Sequence, residues 1–297
     1  MIKVKILGWR DEEISIVNRL EKGFKELGHE IVVFDDKPDL LIAINPDVYD
    51  QAIEHEILPN GLKIFNILDV PEHLIDTYPI EEIKKQLKHA DVITCISEST
   101  KKQVKKYFKK KADVVYTPSL EIESVPKTRD IDFLYVGRAG DPNKRFNLIL
   151  QSLRDAGMPH NSLHVCGPEP TSHGVYHGLV TASKLNELYH QSKAVLLPSR
   201  IEGVGLSMIE GAMAGAIPIT CTDNPTAKEF GFEDFSVEPT IDSYSRAMMM
   251  TIMDYMGKKQ KVFEIVQKQN LFTKFNKKNV AKKYMGFYED RFNSIGV

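Results

Sequence analysis

Two glutamates, Glu202 and Glu210, flank a glycine-rich turn in the segment LPSRIEGVGLSMIEGAMAGAIP, residues 197–218. The apolar residues before the turn predict a buried parallel strand, and residues 206–214 have the composition of a helix. The N–H groups at the start of such a helix are unpaired and carry the positive end of its dipole, so they can bind a diphosphate. Two carboxylates with seven residues between them could accept hydrogen bonds from hydroxyls at the two ends of an extended ligand, such as a nucleoside diphosphate sugar.

A second candidate group lies upstream, where the strand-like residues 133–136 end in a loop that carries two cations. Arg138 can bind two phosphate oxygens through its planar guanidinium, and Lys144 adds a compact point charge. This pair suits a diphosphate leaving group. The alternative for the cations is a surface turn with solvated charges, and for the glutamates it is a solvated helix start favoured by the dipole.

The pattern PSxxEGxGLxxxEGAMAGxxP resembles the donor-site signature of the retaining GT-B glycosyltransferases, glycosyl transferases group 1, family 4. That large family includes sucrose synthases, bacterial mannosyltransferases and lipopolysaccharide glucosyltransferases. The resemblance implies that Glu202 contacts the transferred sugar, Glu210 holds the ribose hydroxyls, and Arg138 and Lys144 bind the donor pyrophosphate. It implies further donor contacts at Gly137, Val180, Val204, Gly205 and Leu206.

The chain also departs from the family pattern. Arg145 stands where the family usually has a glycine, so the loop could be tighter or could make an extra charge contact. Asn224 and Pro225 replace a pair of glycines near the donor sugar, while Glu229 is kept, so the shape of the sugar pocket stays open. Val180 could contact the nucleobase or simply pack against its neighbours.

The first half of the chain offers candidates of a different kind. The family often has a histidine followed by aspartate at the end of a strand, whereas this chain has Leu68 before Asp69. Asp69 could orient an acceptor hydroxyl or the sugar, and His73 could reach the site from the next turn, or both could be structural. Trp9, the only tryptophan, could stack on an acceptor sugar or cover the end of the first strand.

Strand and helix signals alternate along the chain, which predicts an α/β protein with parallel sheets and crossover helices. The resemblance implies the GT-B architecture, two Rossmann-like domains that face each other across a cleft. We place an acceptor domain at residues 1–124, a nucleotide-sugar donor domain at 125–278, and a helix that returns to the first domain at 279–297. The charged segment 121–130 is the predicted linker.

The predicted elements are read from apolar runs and caps. Strands are predicted at residues 2–7, 30–34, 40–44, 62–67, 114–116, 133–136, 162–166, 194–197 and 217–221, with a further strand after Ala90. Helices are predicted at residues 12–27, 101–108, 146–156, 185–191 and 206–214, and near 279–292.

The composition of the chain indicates which classes of partner it binds and in which compartment it is found. The formal charge of −2 lacks the basic excess of a dedicated nucleic-acid binder, so nucleic acid is an unexpected partner. The first residues lack an apolar signal region, and no stretch approaches the ~20 apolar residues of a membrane span, so we expect a cytoplasmic protein. Cys95, Cys166 and Cys221 are widely spaced without a metal-ligand pattern, which predicts buried free thiols in a reducing compartment.

Lysines are concentrated on the predicted helix after Ser97 and just beyond it. They are Lys101, Lys102, Lys105, Lys106, Lys109, Lys110 and Lys111. This stripe could be a solvated helix face or a surface for peripheral contact with an anionic membrane. The resemblance bears on the second option, because several members of the family glycosylate lipid-linked acceptors.

The resemblance implies a metal-independent retaining glycosyltransferase that moves a hexose from a UDP- or GDP-linked sugar to an acceptor hydroxyl on a glycan, a lipid-linked molecule or another acceptor. It implies no cofactor besides the nucleotide sugar. Arg138, Lys144 and the helix start would stabilise charge on the departing diphosphate. The alternatives are a catalytically weak nucleotide-sugar binding protein and a nucleotide-sugar epimerase, which would be expected to carry its own acid and base carboxylates.

Overall fold

The computed structural model describes residues 1–10, 15–33, 37–123 and 128–295. Contacts divide the chain into two compact units, Met1–Ser119 with Thr273–Val297 as unit 1 and Leu120–Phe272 as unit 2. Residues 120–123 thus group with unit 2 and residues 273–278 with unit 1, whereas the sequence analysis places these borders at 124 and 279. Parts of the predicted first helix, second strand and linker, at 11–14, 34–36 and 124–127, lie outside the described residues.

Within its described residues, unit 1 has a six-stranded sheet of order β2-β1-β3-β4-β5-β6, in which every paired strand is parallel. The strands are β1 (Lys3–Leu7), β2 (Glu30–Ile31), β3 (Leu40–Ile44), β4 (Leu62–Ile67), β5 (Val92–Cys95) and β6 (Asp113–Val114). All residues of β3 are buried, because helices cover both faces of a parallel sheet and each strand becomes a continuous apolar run.

The helices of unit 1 lie on both faces of this sheet. They are α1 (Ile16–Glu26), α2 (Tyr49–Glu54), α3 (Pro71–Thr77), α4 (Ile80–Gln86), α5 (Glu98–Gln103), which continues as a π-helical turn (Val104–Phe108), and the long terminal helix α13 (Lys277–Ile295). Ser15 begins α1 and Ser97 begins α5, each accepting a hydrogen bond from a backbone N–H of the first turn.

The terminal helix α13 completes the core of unit 1. Val280, Ala281 and Tyr284 are buried in the same cluster as Phe24 of α1. The two helices approach closely at Gly23, where an added Cβ would lie 2.3 Å from the carbonyl oxygen of Lys277. The segments at the border with unit 2 also meet, because Ser119 N donates to the carbonyl oxygen of Phe275 at 3.0 Å.

Within its described residues, unit 2 has a second six-stranded parallel sheet, of order β12-β11-β10-β7-β8-β9. Its strands are β7 (Ile131–Val136), β8 (Leu163–Cys166), β9 (Val175–Gly178), β10 (Ser192–Leu197), β11 (Ile217–Cys221) and β12 (Ser236–Val237). Its helices are α6 (Phe146–Asp155), α7 (Ala182–Gln191), α8 (Leu206–Met213), α9 (Pro225–Glu229), α10 (Ile241–Met253) and α11 (Tyr255–Lys268), and the short α12 (Leu271–Lys274) spans the border between the units.

The α/β class and the parallel sheets are confirmed, and each predicted strand and helix has a counterpart among the described residues. The prediction missed short elements with mixed composition, among them α2 to α4, β9, β12 and α9. The helical spacing of Met248, Met253 and Met256 favours core positions, and these residues do lie on α10 and α11. Met248 is buried, but Met253 and Met256 are 80% and 72% exposed, so the core interpretation was wrong for them. The three cysteines are free and buried, as predicted, and burial raises the pKa of each thiol to about 12.

Candidate functional site in unit 2

The sheet of unit 2 reverses its strand order between β7 and β10. After β7 the chain adds β8 and β9 on one side, and after β10 it adds β11 and β12 on the other. Ligands of open α/β sheets bind at such a reversal, outside the carboxyl ends of the strands. The loops after β7 and β10, residues 137–145 and 198–205, hold most of the sequence-predicted donor residues.

An ion pair joins these two loops. Lys144 Nζ lies 2.6 Å from Glu202 Oε1, and both side chains are mostly buried, with 19% and 13% of their surface exposed. The sequence analysis assigned the cation to a diphosphate and the carboxylate to a sugar. The structure places the two groups in direct contact, so both can touch one small ligand.

Asn143 positions this ion pair. The sequence analysis did not identify Asn143 as a functional residue. Its amide donates from Nδ2 to the carbonyl oxygen of Ile201 at 2.8 Å and accepts the Ile201 N–H on Oδ1 at 3.1 Å. Its own carbonyl oxygen accepts the N–H of Arg200 at 3.0 Å. Three hydrogen bonds from one residue therefore hold the loops together just before Lys144 and Glu202, and no local signal marks a single asparagine in a turn for this role.

Arg138 has a more exposed position in the same loop. Its guanidinium donates to Asp141 at 2.9 Å and is 63% exposed. Burial alone would raise the pKa of Asp141, but hydrogen bonds from Asn143 N and Arg138 lower it below its ordinary value. Tyr135 supports the loop from beneath by donating to the Arg138 carbonyl oxygen at 3.1 Å, and its burial together with the nearby Glu202 raises its pKa well above 10.0.

Arg145 makes an extra charge contact, one of the two outcomes considered from the sequence. Its guanidinium binds both carboxylate oxygens of Asp223, at 2.8 and 2.5 Å, and so ties the loop after β7 to the loop after β11. Hydrogen bonding to Asp223 raises the pKa of Arg145. The residue has a left-handed backbone, with φ of +48°, which explains why a glycine suits this position.

Gly137 begins the same loop and packs against another glycine. Its N–H donates to the Cys166 carbonyl oxygen at 2.9 Å. A Cβ added to Gly167 would lie 2.2 Å from the Gly137 carbonyl oxygen. The backbones after β7 and β8 can therefore approach each other only because residue 167 lacks a side chain.

Helix α8 begins at the turn of the glutamate motif. Gly205 precedes it in a left-handed conformation, with φ of +72°, and an added Cβ would lie 2.9 Å from Leu197 Cδ2. No side chain caps this helix, so the N–H groups of Leu206 and Ser207 lie at a positive helix end without a side-chain acceptor. Val204 is buried beside them.

Two buried polar groups near this helix start lack partners. Among the residues that the structure describes, Ser199 Oγ and Asn224 Nδ2 are inaccessible to solvent and make no hydrogen bond. Ser199 follows β10 by two residues, and Asn224 caps α9 after β11 with its other amide atom. Buried polar groups normally find a partner, so these two atoms depart from the usual pattern at this end of the sheet.

Glu210 occupies a different environment from Glu202. It is 3% exposed, its Oε1 accepts the N–H of Leu120 at 2.8 Å, and its Oε2 accepts the hydroxyl of Tyr189 at 3.0 Å. A carboxylate can accept about four hydrogen bonds, and Leu120 and Tyr189 supply two of those to Glu210. The role of Glu210 in ribose binding stays a prediction, and its contact with the start of unit 2 is a second role that the sequence analysis missed.

Val180 lies in the loop between β9 and α7, half-buried, next to the helix cap Thr181. Just before this loop, His177 Nε2 and His164 Nδ1 share a hydrogen bond of 2.9 Å across β9 and β8. The choice between base contact and packing for Val180 stays open.

Unit 1 has its own strand reversal, between β1 and β3. Trp9 follows β1, is 75% exposed and donates from its indole nitrogen to Asp47 at 3.0 Å. Asn45, after β3, accepts the N–H groups of Leu68 and Asp69 at 3.0 and 3.1 Å. These hydrogen bonds link the loops after β1, β3 and β4 at the carboxyl ends of the strands of unit 1. Ligands of open α/β sheets bind at such a place.

Asp69 itself makes local contacts. Its carboxylate accepts the N–H of Val70 at 2.7 Å and lies 3.6 Å from His73 Nδ1. The carboxylate is 48% exposed. A catalytic role for Asp69 and an acceptor role for Trp9 stay predictions.

Comparison with solved structures shows the class of fold. Sucrose-phosphate synthase of Thermosynechococcus elongatus matches with a TM-score of 0.78 and 11% identity, over 98% of this chain and 99% of that one. HepE of Anabaena, solved in complex with UDP-glucose, matches with a TM-score of 0.74 and 10% identity, over 98% of this chain and 100% of that one. The chain therefore has the α/β GT-B fold, with two Rossmann-like units.

A family model matches one part of the sequence. Residues 130–254 match the model described as glycosyl transferases group 1. This range lies inside unit 2 and contains both the cation loop and the two glutamates. A search of curated protein sequences finds no match to the chain.

Among the helices that the structure describes, none has the length and apolar content that a membrane crossing requires. The predicted cytoplasmic location and the peripheral membrane contact stay predictions.

Proposed function

We propose that the protein is a retaining glycosyltransferase that transfers a hexose from a UDP- or GDP-linked sugar to an acceptor hydroxyl. The observation that carries the proposal is the contact of Lys144 with Glu202 at the strand reversal of unit 2. It brings a cation for phosphate and a carboxylate for sugar hydroxyls together beside the uncapped start of α8. The match of residues 130–254 to group 1 glycosyl transferases supports this assignment.

The diphosphate would bind where positive groups converge. The N–H groups of Leu206 and Ser207 would donate to phosphate oxygens, as helix starts do at many phosphate sites. Lys144 and Arg138 would supply charge, and Arg138, the more exposed of the two, can turn from Asp141 towards a ligand. Ser199 Oγ and Asn224 Nδ2 would gain the partners that they lack.

The sugar would lie beside Glu202 and the loop after β11. Glu202 would accept hydrogen bonds from sugar hydroxyls, and the Arg145–Asp223 pair would border the pocket. Glu210 would accept the ribose hydroxyls at the other end of the donor, beside the N–H of Leu120 and the hydroxyl of Tyr189.

Catalysis would come from stabilising charge on the leaving group. As the glycosidic bond breaks, negative charge builds on the diphosphate, and the fixed cations and N–H groups stabilise it without reorganisation. The departing phosphate oxygen would take the proton of the acceptor hydroxyl on the same face of the sugar. With these cations in place, we propose that transfer needs no divalent metal, so activity should persist in a chelator.

Asp69 and Trp9 are the acceptor-side candidates in unit 1. Asp69 has a half-exposed carboxylate that could orient an acceptor hydroxyl, and Trp9 has an exposed ring on which an acceptor sugar could stack. Replacing Trp9 with alanine should raise KM for the acceptor and leave donor binding unchanged.

The first experiment is calorimetric titration with UDP, GDP, ADP and their glucose and mannose forms. We expect selective binding of one nucleotide by the wild type. Glu210→Ala should weaken that binding by about tenfold or more, because it removes charge-assisted hydrogen bonds to the ribose. If none of the nucleotides binds, the donor site is wrong and the proposal fails.

A matched variant separates the ribose role of Glu210 from its structural contacts. Tyr189→Phe removes only the hydroxyl that donates to Glu210 Oε2, so it perturbs the structural contact and leaves the carboxylate. If Tyr189→Phe weakens nucleotide binding as much as Glu210→Ala does, Glu210 acts through the packing of α8, and its assignment to ribose is wrong.

A further inference from the structure

Unit 1 has a groove of about 690 Å³ along α5 and the π-helical turn that follows it. Six lysines line it: Lys101, Lys102, Lys105, Lys109, Lys110 and Lys111. Glu98 is the one acidic residue among the groove's lining residues. The chain as a whole has a formal charge of −2, so this groove is a local concentration of positive charge against the overall balance.

The described residues provide no ion-pair partner for these lysines. None of the six forms an ion pair within that part of the chain, although many other cations do. Lys101 and Lys105 are four residues apart on one continuous helical segment, a spacing at which like charges repel. A bound anion would relieve this repulsion.

The backbone at the groove is irregular. The helix changes to π-helical hydrogen bonding at Val104–Phe108, and such turns are frequent at functional sites. Lys109 then ends the helix in a left-handed conformation, with φ of +56°, which is uncommon for a residue other than glycine. The turn carries Lys110 and Lys111 into the same groove as the helical lysines.

A second groove of about 780 Å³ shares Glu98 with the first and lies between β6 and α13. Lys282 and Lys283 on α13 line it with Val114 of β6, which is the edge strand of the sheet. The two grooves share Glu98 and are both lined by lysines, and together they are called the trough.

The lining residues favour a chain of phosphates over a membrane or a nucleic acid. The apolar face of the helix, Val104 and Phe108, is buried in the core of unit 1, so only electrostatic attraction would hold this face on an anionic membrane. The six-lysine groove has no aromatic lining residue, and Tyr116 in the second groove is half-buried and already packs against Phe275, so the trough offers little aromatic surface on which bases could stack. Lysine is a flexible point charge that binds phosphate without demanding a fixed geometry.

We propose that this trough binds a flexible, soluble polymer of phosphate groups, as a site separate from the donor site of unit 2. Each phosphate would pair with one or two lysines, and release of counterions would drive binding. The site does not depend on the proposed sugar transfer, because its ligand and residues are different.

The test is fluorescence anisotropy of the full chain with labelled inorganic polyphosphate. We expect binding that weakens about a hundredfold between 50 and 200 mM salt, the dependence of roughly five neutralised phosphates on a single strand. The triple variant Lys101→Gln/Lys105→Gln/Lys109→Gln should bind at least tenfold more weakly, with a salt slope reduced by about two. Its thermal stability should be equal or higher, because like-charge repulsion is relieved.

A control variant carries the same change of net charge elsewhere. Lys25, Lys88 and Lys268 are exposed and lie outside the trough, and replacing all three with glutamine should leave polyphosphate binding within about twofold of the wild type. Equal losses in the two triple variants would mean that only net charge matters and would overturn the site. UDP titration of the same variants should be unaffected, which separates this test from that of the donor site.

Two further ligands decide between classes of partner. Vesicles with anionic lipid that bind at salt concentrations where polyphosphate does not would overturn the proposal in favour of a membrane surface. Single-stranded poly-uridine that binds more tightly than polyphosphate at equal phosphate concentration would overturn it in favour of nucleic acid.

Discussion

In the proposed mechanism Lys144 has two competing partners, Glu202 and the diphosphate of the donor. Because the ion pair of 2.6 Å is mostly buried, the phosphate would displace or share this ammonium group. On this proposal Glu202 would set the balance between affinity for the nucleotide and preference for the sugar.

Glu202→Gln should raise affinity for UDP or GDP about threefold or more, since it removes a carboxylate that competes for Lys144 and repels phosphate. The same variant should lose the extra affinity that the attached sugar provides. Lys144→Met should lower nucleotide affinity about tenfold or more, because it removes a charge-assisted hydrogen bond. Calorimetry on both variants checks this, and weaker UDP binding by Glu202→Gln would contradict the competition.

Arg145 and Asp223 form a clamp across the proposed sugar pocket. Arg145→Gly should cost little stability, within about 1 kcal/mol, because the lost surface ion pair is offset by relief of the left-handed backbone. Discrimination between glucose and mannose donors should fall severalfold, since the loop after β11 loses its tether. Asp223→Asn should relax selectivity in the same direction, and unchanged selectivity in both variants would show that the clamp does not border the sugar.

At the scale of elements, β8 and β9 carry a pH-dependent contact. Burial lowers the pKa of both His164 and His177 below 6.5. The pKa of His164 is lowered further by the nearby His177 and Lys184 and raised by Asp130. The pKa of His177 is lowered further by Lys184. The unfolded chain therefore binds more protons than the folded one as pH falls through 6.5. Stability contributed by the pair is present above that pH and is lost below it.

Thermal unfolding of unit 2 should move to lower temperature between pH 7.5 and 5.5, because protonation of the two histidines favours the unfolded chain. His177→Gln keeps a side chain that can bond to His164 and removes one titrating group, so its Tm should change less over this range. Calorimetric scans at several pH values check this. An equal shift in the variant would assign the pH dependence to other groups.

The sequence was sufficient to predict the central strands of the two sheets but not the edge strands of unit 2. The central strands β3 and β10 were predictable because buried parallel strands are continuous apolar runs. The edge strands β9 and β12 were not, since they are short and carry polar or exposed residues.

The roles of Asn143 and Asp223 could not be predicted either. Their partners lie 58 and 78 residues away, so only the tertiary structure brings the pairs together. Glu202 and Gly205 could be proposed from the sequence because the residues of their motif lie within one strand–turn–helix segment.

At the scale of the whole molecule, the contact of α1 with α13 attaches the end of the chain to unit 1. Gly23→Ala should destabilise unit 1 by about 2 kcal/mol or more, because the new methyl group would overlap the Lys277 carbonyl and force the helices apart. Unit 2 should keep its own transition and its nucleotide binding. Thermal unfolding followed separately in each unit checks this. Gly286→Ala in α13, where an added Cβ meets no atom within 4 Å, is the control for the change of a helical glycine to alanine.

The hydrogen bond between Ser119 and Phe275 has a topological consequence. The chain leaves unit 1 and returns to it at adjacent points, so unit 2 is an insertion whose two ends are already close together. Residues 120–272 can therefore be expressed as a separate module in which the proposed nucleotide binding is tested, while a short Gly-Ser bridge from 119 to 273 would close unit 1. Because residues 119 and 275 are close together, circular permutants that begin in unit 2 should also fold, since domains with neighbouring termini tolerate a change of chain connectivity.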